Sequence, residues 1–281
     1  MTLLTVIPWR GAGDDATPGR DPAGSPGGGP GGSPGGSTAP PRAAAGAAMA
    51  WAPAVGLLLG VIASAVLLLA DQPFGAGPLT ASGLAVGSLA LLTRGLHLDG
   101  LADLADGLAS GKPAPAALDI MRRSDIGPLG VVTLVLTLLL QVAALSEAES
   151  AGHGRGPAAL IAAVVTGRLA LTWACRRGVP AARPDGLGAL VAGSVRPVVP
   201  AVATAVTLAA AAAAVAISAA AASGRLGWTL PLAVAAGLAV AFAVQRHAVR
   251  RLGGITGDVL GALAEIATTV TLVVAAMGPP A

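Results

Sequence analysis

Charge is scarce in this 281-residue chain: Asp, Glu, Lys and Arg together make up 11%, against about 25% in an ordinary soluble domain. So few charges cannot coat the surface of a water-soluble globule of this size. Aromatic residues are scarcer still, at 2%. The net charge of +3 and the pI near 10.4 therefore do not signal nucleic-acid binding. Base stacking needs aromatic side chains, and the basic residues here are scattered over short loops rather than gathered in a patch. Cys175 is the only cysteine, which excludes an intramolecular disulfide and a cysteine metal cage; it reads as a small buried apolar residue. His97, His153 and His247 are not spaced as metal ligands. A secretory signal is not expected either. Residues 1–10 have no basic leading region, and Leu3, Leu4, Val6 and Ile7 form an apolar run shorter than the roughly 7–15 residues such a signal needs.

What the chain does have is apolar length. Hydrophobic residues make up 54% and the mean hydropathy is +0.76. After a lead-in over 1–10, residues 11–40 are more than half Gly or Pro. Such a composition buries too little apolar surface to offset its ordering entropy, so 11–47 reads as a disordered linker before a transmembrane catalytic domain over 48–281. Apolar runs follow at 49–70, 79–96, 128–145, 157–175, 198–222, 227–245 and 259–277. Most approach the roughly 20 residues a helix needs to cross the hydrocarbon. They show no period-two alternation, which argues against a β-barrel. The expected fold is an all-α polytopic transmembrane bundle of about seven spans. The run at 198–222 is mostly alanine, and that at 79–96 ends on Arg94, which would have to snorkel to the interface.

Loop charge supplies an orientation. With the N-terminus in the cytoplasm, Arg10, Arg20, Arg42, Lys112, Arg122, Arg123, Arg176, Arg177, Arg183, Arg196, Arg246, Arg250 and Arg251 all fall inside, and only Arg155 and Arg225 fall outside. That asymmetry is the positive-inside pattern of a multi-pass cell-membrane protein, and it would be lost if any single span were dropped. Trp51, Trp173 and Trp228 fall at predicted span ends, where amphipathic rings favour the headgroup level. Loops 97–127, 176–197 and 246–258 then share the cytoplasmic face, with membrane lipid around the bundle.

The polar chemistry collects on that face. Asp99, Asp103 and Asp106 are spaced i, i+4, i+7, which puts three carboxylates on one helical face. Like charges so stacked repel one another, and a divalent cation would reverse the sign. Hard oxygen donors suit Mg²⁺ or Mn²⁺, and Mg²⁺ typically uses few carboxylates and completes its shell with water and substrate phosphate. Gly100 and Gly107 leave room for close approach. His97 borders the face. Downstream, Arg122 and Arg123, followed by Ser124 and Asp125, offer guanidinium groups suited to phosphate oxygens. The Gly-rich turn before Asp258 carries Thr256 and opens a helix, an arrangement that suits an anion; it lacks the Gly-Lys-Ser/Thr ending of a P-loop. Arg168 and Glu265 lie inside apolar runs, where ionisable residues are functional candidates or pair with each other.

These segments resemble the cobalamin synthase family, the adenosylcobinamide-GDP ribazoletransferases. The resemblance is carried by the run from Gly95 through His97-Leu98-Asp99-Gly100-Leu101-Ala102-Asp103 to Leu108, by Ile120 to Gly130, by Gly253 to Ala262, and by the opening Leu4-Thr5-Val6-Ile7-Pro8. It implies that α-ribazole attacks GDP-activated adenosylcobinamide, forming adenosylcobalamin with release of GMP (its 5′-phosphate would give adenosylcobalamin 5′-phosphate), and that Mg²⁺ is required. On that reading Asp99, Asp103 and Asp106 hold the metal. One of them, or His97, accepts a proton, and Arg122, Arg123, Ser124, Asp125, Arg168, Thr256 and Asp258 line the substrate. In the family an acid commonly precedes the serine and a base follows it; here Arg123 and Asp125 are exchanged. Two other readings compete. A CDP-alcohol phosphatidyltransferase shares Asp103-x-x-Asp106-Gly107 but not the Ala-Arg and final aspartate pair that follow. A transporter would place its polar site nearer the bilayer midplane.

Overall fold

The computed structural model describes residues 42–152, 154–220 and 229–277. Eleven helices occur among them. They are α1 (Arg42–Ala50), α2 (Ala52–Asp71), α3 (Pro78–Leu92), α4 (Leu96–Ala109), α5 (Ala114–Ile120) and α6 (Pro128–Ser150). Then come α7 (Arg155–Ala174), α8 (Gly186–Val191), α9 (Val198–Ala220), α10 (Thr229–Leu252) and α11 (Gly257–Ala276). Among the described residues no strand forms, only two isolated bridges, Arg176 with Val195 and Ala181 with Ile255. The all-α membrane bundle expected from the sequence is the fold observed.

Among the described residues six helices are long and apolar enough to cross a membrane: α2, α6, α7, α9, α10 and α11. The seventh expected span is different. α3 stops at Leu92, and the chain turns by 87° into α4. At about 1.5 Å per residue α3 reaches only some 22 Å, short of the hydrocarbon thickness. The turn is built where the apolar run meets its charge. Arg94 and Gly95 both take positive φ, 55° and 68°, and the Thr93 hydroxyl donates back to the Leu89 carbonyl at 2.8 Å. Gly adopts this conformation freely; the exposed arginine is carried with it. Arg94 therefore does not snorkel from a continuous span but marks the break. The acidic helix α4 runs nearly at right angles to α3.

Two further boundaries move. Residues 42–47, assigned to the linker, belong to α1, and Gly46 packs so closely on the Ser194 carbonyl that a Cβ there would lie 2.8 Å away. The rest of the linker lies outside the described residues. At the other end α10 does not stop at 245 but runs to Leu252, since no Gly or Pro occurs between residue 245 and Gly253. The loop expected over 246–258 shrinks to a four-residue turn.

α7 and α11 form the centre of the bundle. α7 is flanked by α2, α10 and α11, and α11 by α4, α6, α7 and α10. Small residues set the spacing: a Cβ on Gly56 would meet the Val164 carbonyl at 2.9 Å, and one on Gly60 would meet Ile161 Cα at 3.0 Å. Helix association in lipid relies on such close backbone approach. α9 packs on α7 and α10 at the edge, with Val198, Val202, Val206 and Ile217 exposed. Trp51 stands 67% exposed at the start of α2, as an interfacial ring should; Trp228 lies outside the described residues.

Candidate active site

α4 crosses the N-terminal end of α11 with almost no gap. A Cβ on Gly100 would lie 2.8 Å from the Asp258 carbonyl oxygen and 2.9 Å from its Cα; one on Gly261 would lie 3.1 Å from the His97 carbonyl oxygen. This paired-glycine crossing brings Asp258 to the face that carries Asp99 and Asp103. A cleft of about 280 Å³ opens there, bounded by His97 and Asp99 of α4, Arg183 and Asp185 before α8, and Thr256, Gly257 and Asp258 at the head of α11.

The third wall comes from the α7–α8 segment. The Ala182 amide donates to the Ile255 carbonyl at 3.0 Å and the Ile255 amide to the Pro180 carbonyl at 2.9 Å, which stitches residues 180–182 onto the turn before α11. Gly188 sits against Ile255 and Thr256, where a Cβ would meet the Ile255 carbonyl oxygen at 2.5 Å. Arg183 is anchored by donation to the Leu118 carbonyl at 2.6 Å. By loop charge Arg183 is one of the inside-face arginines; its place at the cleft is not legible from spacing, because 80 positions separate it from Asp103.

The electrostatics follow from this convergence. Asp103 is pushed up to about 7, first by burial and then by the charges of Asp99, Asp258 and Asp106, with Arg183 opposing them. An excess of carboxylates over cations gathers at one place, and that is a field that attracts a cation. Among the described residues no group of three or more His, Cys, Asp or Glu side chains is arranged to hold a metal ion unaided. Mg²⁺ does not require that, since it keeps waters and binds through one or two carboxylates plus substrate phosphate. One or two carboxylates of the group Asp99, Asp103 and Asp258, rather than all three together, fit such an ion.

Asp106 is employed differently. Its carboxylate accepts the Gly127 amide at 2.7 Å and the Gly130 amide at 2.9 Å, satisfying free N–H groups at the start of α6 and placing a negative charge on that helix's positive end. The helical face expected from i, i+4, i+7 spacing exists, but tertiary packing splits it: Asp99 and Asp103 turn toward Asp258, while Asp106 holds α6.

The remaining expected site residues divide. Arg122 reaches the cleft rim, donating to Asp185 at 2.9 and 3.2 Å. Arg123, Ser124 and Asp125 are exposed in the turn between α5 and α6. Thr256 is 3% exposed and caps α11, accepting the Val259 amide at 3.2 Å, while its hydroxyl donates to the Asp258 carboxylate at 3.2 Å. That helix start is thus capped from within, and Asp258 opposes a free anion there. His97 lines the cleft but is 3% exposed. Burial, then the Arg168 charge, lower its imidazole to about 3, so it stays neutral and is a poor proton acceptor. Arg168 is not on the cleft. It is buried beneath α4 in a separate polar pocket with Glu265, Gln141 and Thr268. There Gln141 donates to Glu265 at 2.9 Å and to Thr269 at 3.0 Å.

A family profile described as cobalamin-5-phosphate synthase matches residues 34–276. The chain belongs to the cobalamin-5-phosphate synthase family. Within this family's curated members, it is 46% identical over 243 residues to a protein of Frankia casuarinae named adenosylcobinamide-GDP ribazoletransferase, covering 84% of this chain and 86% of that one. A Nocardioides protein of the same name is 40% identical over 225 residues, covering 80% of this chain and 84% of its own length. One from Stutzerimonas stutzeri is 40% identical over 224 residues, covering 79% and 83%. No solved structure matches the chain. The synthase-family match spans all three walls of the cleft.

Proposed function

We propose that the chain is an adenosylcobinamide-GDP ribazoletransferase, acting on α-ribazole or its 5′-phosphate at the cleft between α4, the α7–α8 segment and α11. The observation that carries this reading is the coincidence of the matched relatives' shared name with a carboxylate-rich, arginine-walled cleft suited to phosphate chemistry. In the reaction, the ribazole hydroxyl oxygen forms a new bond to the cobinamide-linked phosphorus. The phosphoanhydride bond to GMP breaks, and GMP leaves with the bonding electron pair. The hydroxyl proton passes to a carboxylate of the acidic group rather than to the buried, neutral His97, since general-base catalysis needs an acceptor matched to the working pH.

One or two of Asp99, Asp103 and Asp258 would hold Mg²⁺, with substrate phosphate completing the donors, and the ion would supply charge neutralisation at the phosphoanhydride. Arg183 is placed to steady phosphate oxygens from the cleft wall, with Arg122 at the rim held by Asp185. Such pre-placed charges act where phosphate charge develops and need little rearrangement. The inside excess of Lys and Arg supports a cytoplasmic active face in the cell membrane. The test is direct. Purified protein in detergent with adenosylcobinamide-GDP, α-ribazole and Mg²⁺ should release GMP and form adenosylcobalamin. Failure to do so with folded protein, with either α-ribazole or its 5′-phosphate, would refute the assignment.

A further inference from the structure

A second cavity, of about 270 Å³, lies between the end of α7 with the following Gly178–Pro180 segment and the last turns of α10. It is lined by Arg176, Arg246 and Arg250, with Phe242, Gln245 and Pro180, and no acidic residue is among the residues lining it. Phe242, Arg246 and Arg250 follow at i, i+4, i+8, so they form one stripe on α10. Stacked arginines repel each other unless an anion sits among them. Arg176 is fixed rather than loose. It donates to the Trp173 carbonyl at 2.9 Å and to Gln245 at 3.2 Å, and its guanidinium stands 5.9 Å from the Trp173 ring and 5.2 Å from the Phe242 ring.

Depth decides the kind of anion. α10 spans 24 residues, about 36 Å, so its arginine-bearing last turns emerge at headgroup level. Phe242, one turn deeper than Arg246, is 46% exposed on the flank of the helix. The cavity thus pairs cations at the interface with an apolar floor open to hydrocarbon. A free phosphate would use only the first; a phospholipid uses both. Basic pockets between spans on the positive face are a known form of headgroup recognition.

We propose that this cavity is a binding site for an anionic glycerophospholipid, its phosphate held by Arg176, Arg246 and Arg250 and an acyl chain descending past Phe242. The proposal does not depend on the transferase reading. The experiment is native mass spectrometry of the protein released from nanodiscs of equal phosphatidylglycerol and phosphatidylcholine. The wild-type chain should retain phosphatidylglycerol selectively. The Arg246→Gln/Arg250→Gln double variant should lose that selectivity by roughly 30-fold, the effect of removing two basic contacts. Arg246→Lys/Arg250→Lys should keep most of it, which guards against a folding defect. Lys112→Gln/Arg196→Gln, removing the same charge elsewhere, should keep all of it. Equal loss in that control would reduce the effect to diffuse surface charge and overturn the site. So would unchanged retention in the Gln double variant. Displacement of the lipid by millimolar inorganic phosphate would assign the arginines to a soluble anion and overturn the lipid.

Discussion

The crossing of α4 over α11 can be tested with a single methyl group. In Gly100→Ala the new Cβ would sit 2.8 Å from the Asp258 carbonyl oxygen and 2.9 Å from its Cα, some 0.6 Å or more inside the roughly 3.5 Å of a normal contact. Both neighbours are backbone of a packed helix, so no side chain can swing aside and the helices must part. Over-packing of this kind costs about 1–3 kcal/mol, offset by up to about 1 kcal/mol from replacing Gly by Ala within a helix. The net change in stability should therefore be small. The change in geometry is not small, because it separates Asp258 from Asp99 and Asp103, and a misplacement approaching 1 Å costs on the order of 10²-fold in rate. GMP release should fall by roughly 10- to 100-fold while the melting temperature shifts by only a few degrees. Gly87→Ala is the comparison. It lies on α3 with nothing within 4 Å of its added Cβ, and it should keep turnover near wild type. Wild-type turnover in Gly100→Ala would refute the claim that this crossing assembles the site.

The split of the acidic face predicts opposite behaviour within one motif. Asp99→Asn and Asp103→Asn should lower GMP release by roughly 10²-fold without loss of thermal stability, since each removes a charge from a repelling cluster. Asp106→Ala should instead destabilise the fold by about 1–2 kcal/mol through loss of the α6 cap, read as a lower melting temperature. Asp119→Asn, exposed on α5, should be silent in both assays. For pH, Asp103 is raised to about 7 by burial, Asp99, Asp258 and Asp106, against Arg183. The folded state then binds more protons than the unfolded one between about pH 4 and 7, so this group's contribution to stability falls as pH rises through that window. In EDTA the melting temperature should decline across it, less so in Asp103→Asn, and added Mg²⁺ should restore more at pH 8 than at pH 6. An unchanged profile in Asp103→Asn would remove Asp103 from the cluster. Finally, cysteines at Ser110 and Ala181 in a Cys175→Ser background should be shielded from an impermeant thiol reagent in intact cells, while one at Gly152 reacts; labelling of Ser110 from outside would reverse the orientation.

Composition and residue order alone establish the class of protein and most of its frame. Scarce charge and long apolar runs leave a helical membrane bundle as the stable solution, because only helices satisfy their own backbone in lipid without a closed barrel. Helical spacing likewise put Asp99, Asp103 and Asp106 on one face, since that relation is local. The tertiary structure decided what local periodicity cannot express. Where α3 breaks depends on how Arg94 and Gly95 turn the chain through 87° into α4, which an apolar run to residue 96 conceals. That Asp258 joins Asp99 and Asp103, while Asp106 is drawn off to cap α6, follows from close helix crossings at Gly100, Gly130 and Gly261, and Arg183 is brought to them by the backbone pairing of residues 180–182 with Ile255, all between segments far apart in the chain. Arg168, which shares a span with no other charge between the ends of its apolar run, was placed at the substrate by its type alone. Packing puts it below the cleft with Gln141 and Glu265, because a cation in the bundle interior is held where neighbouring helices supply polar partners.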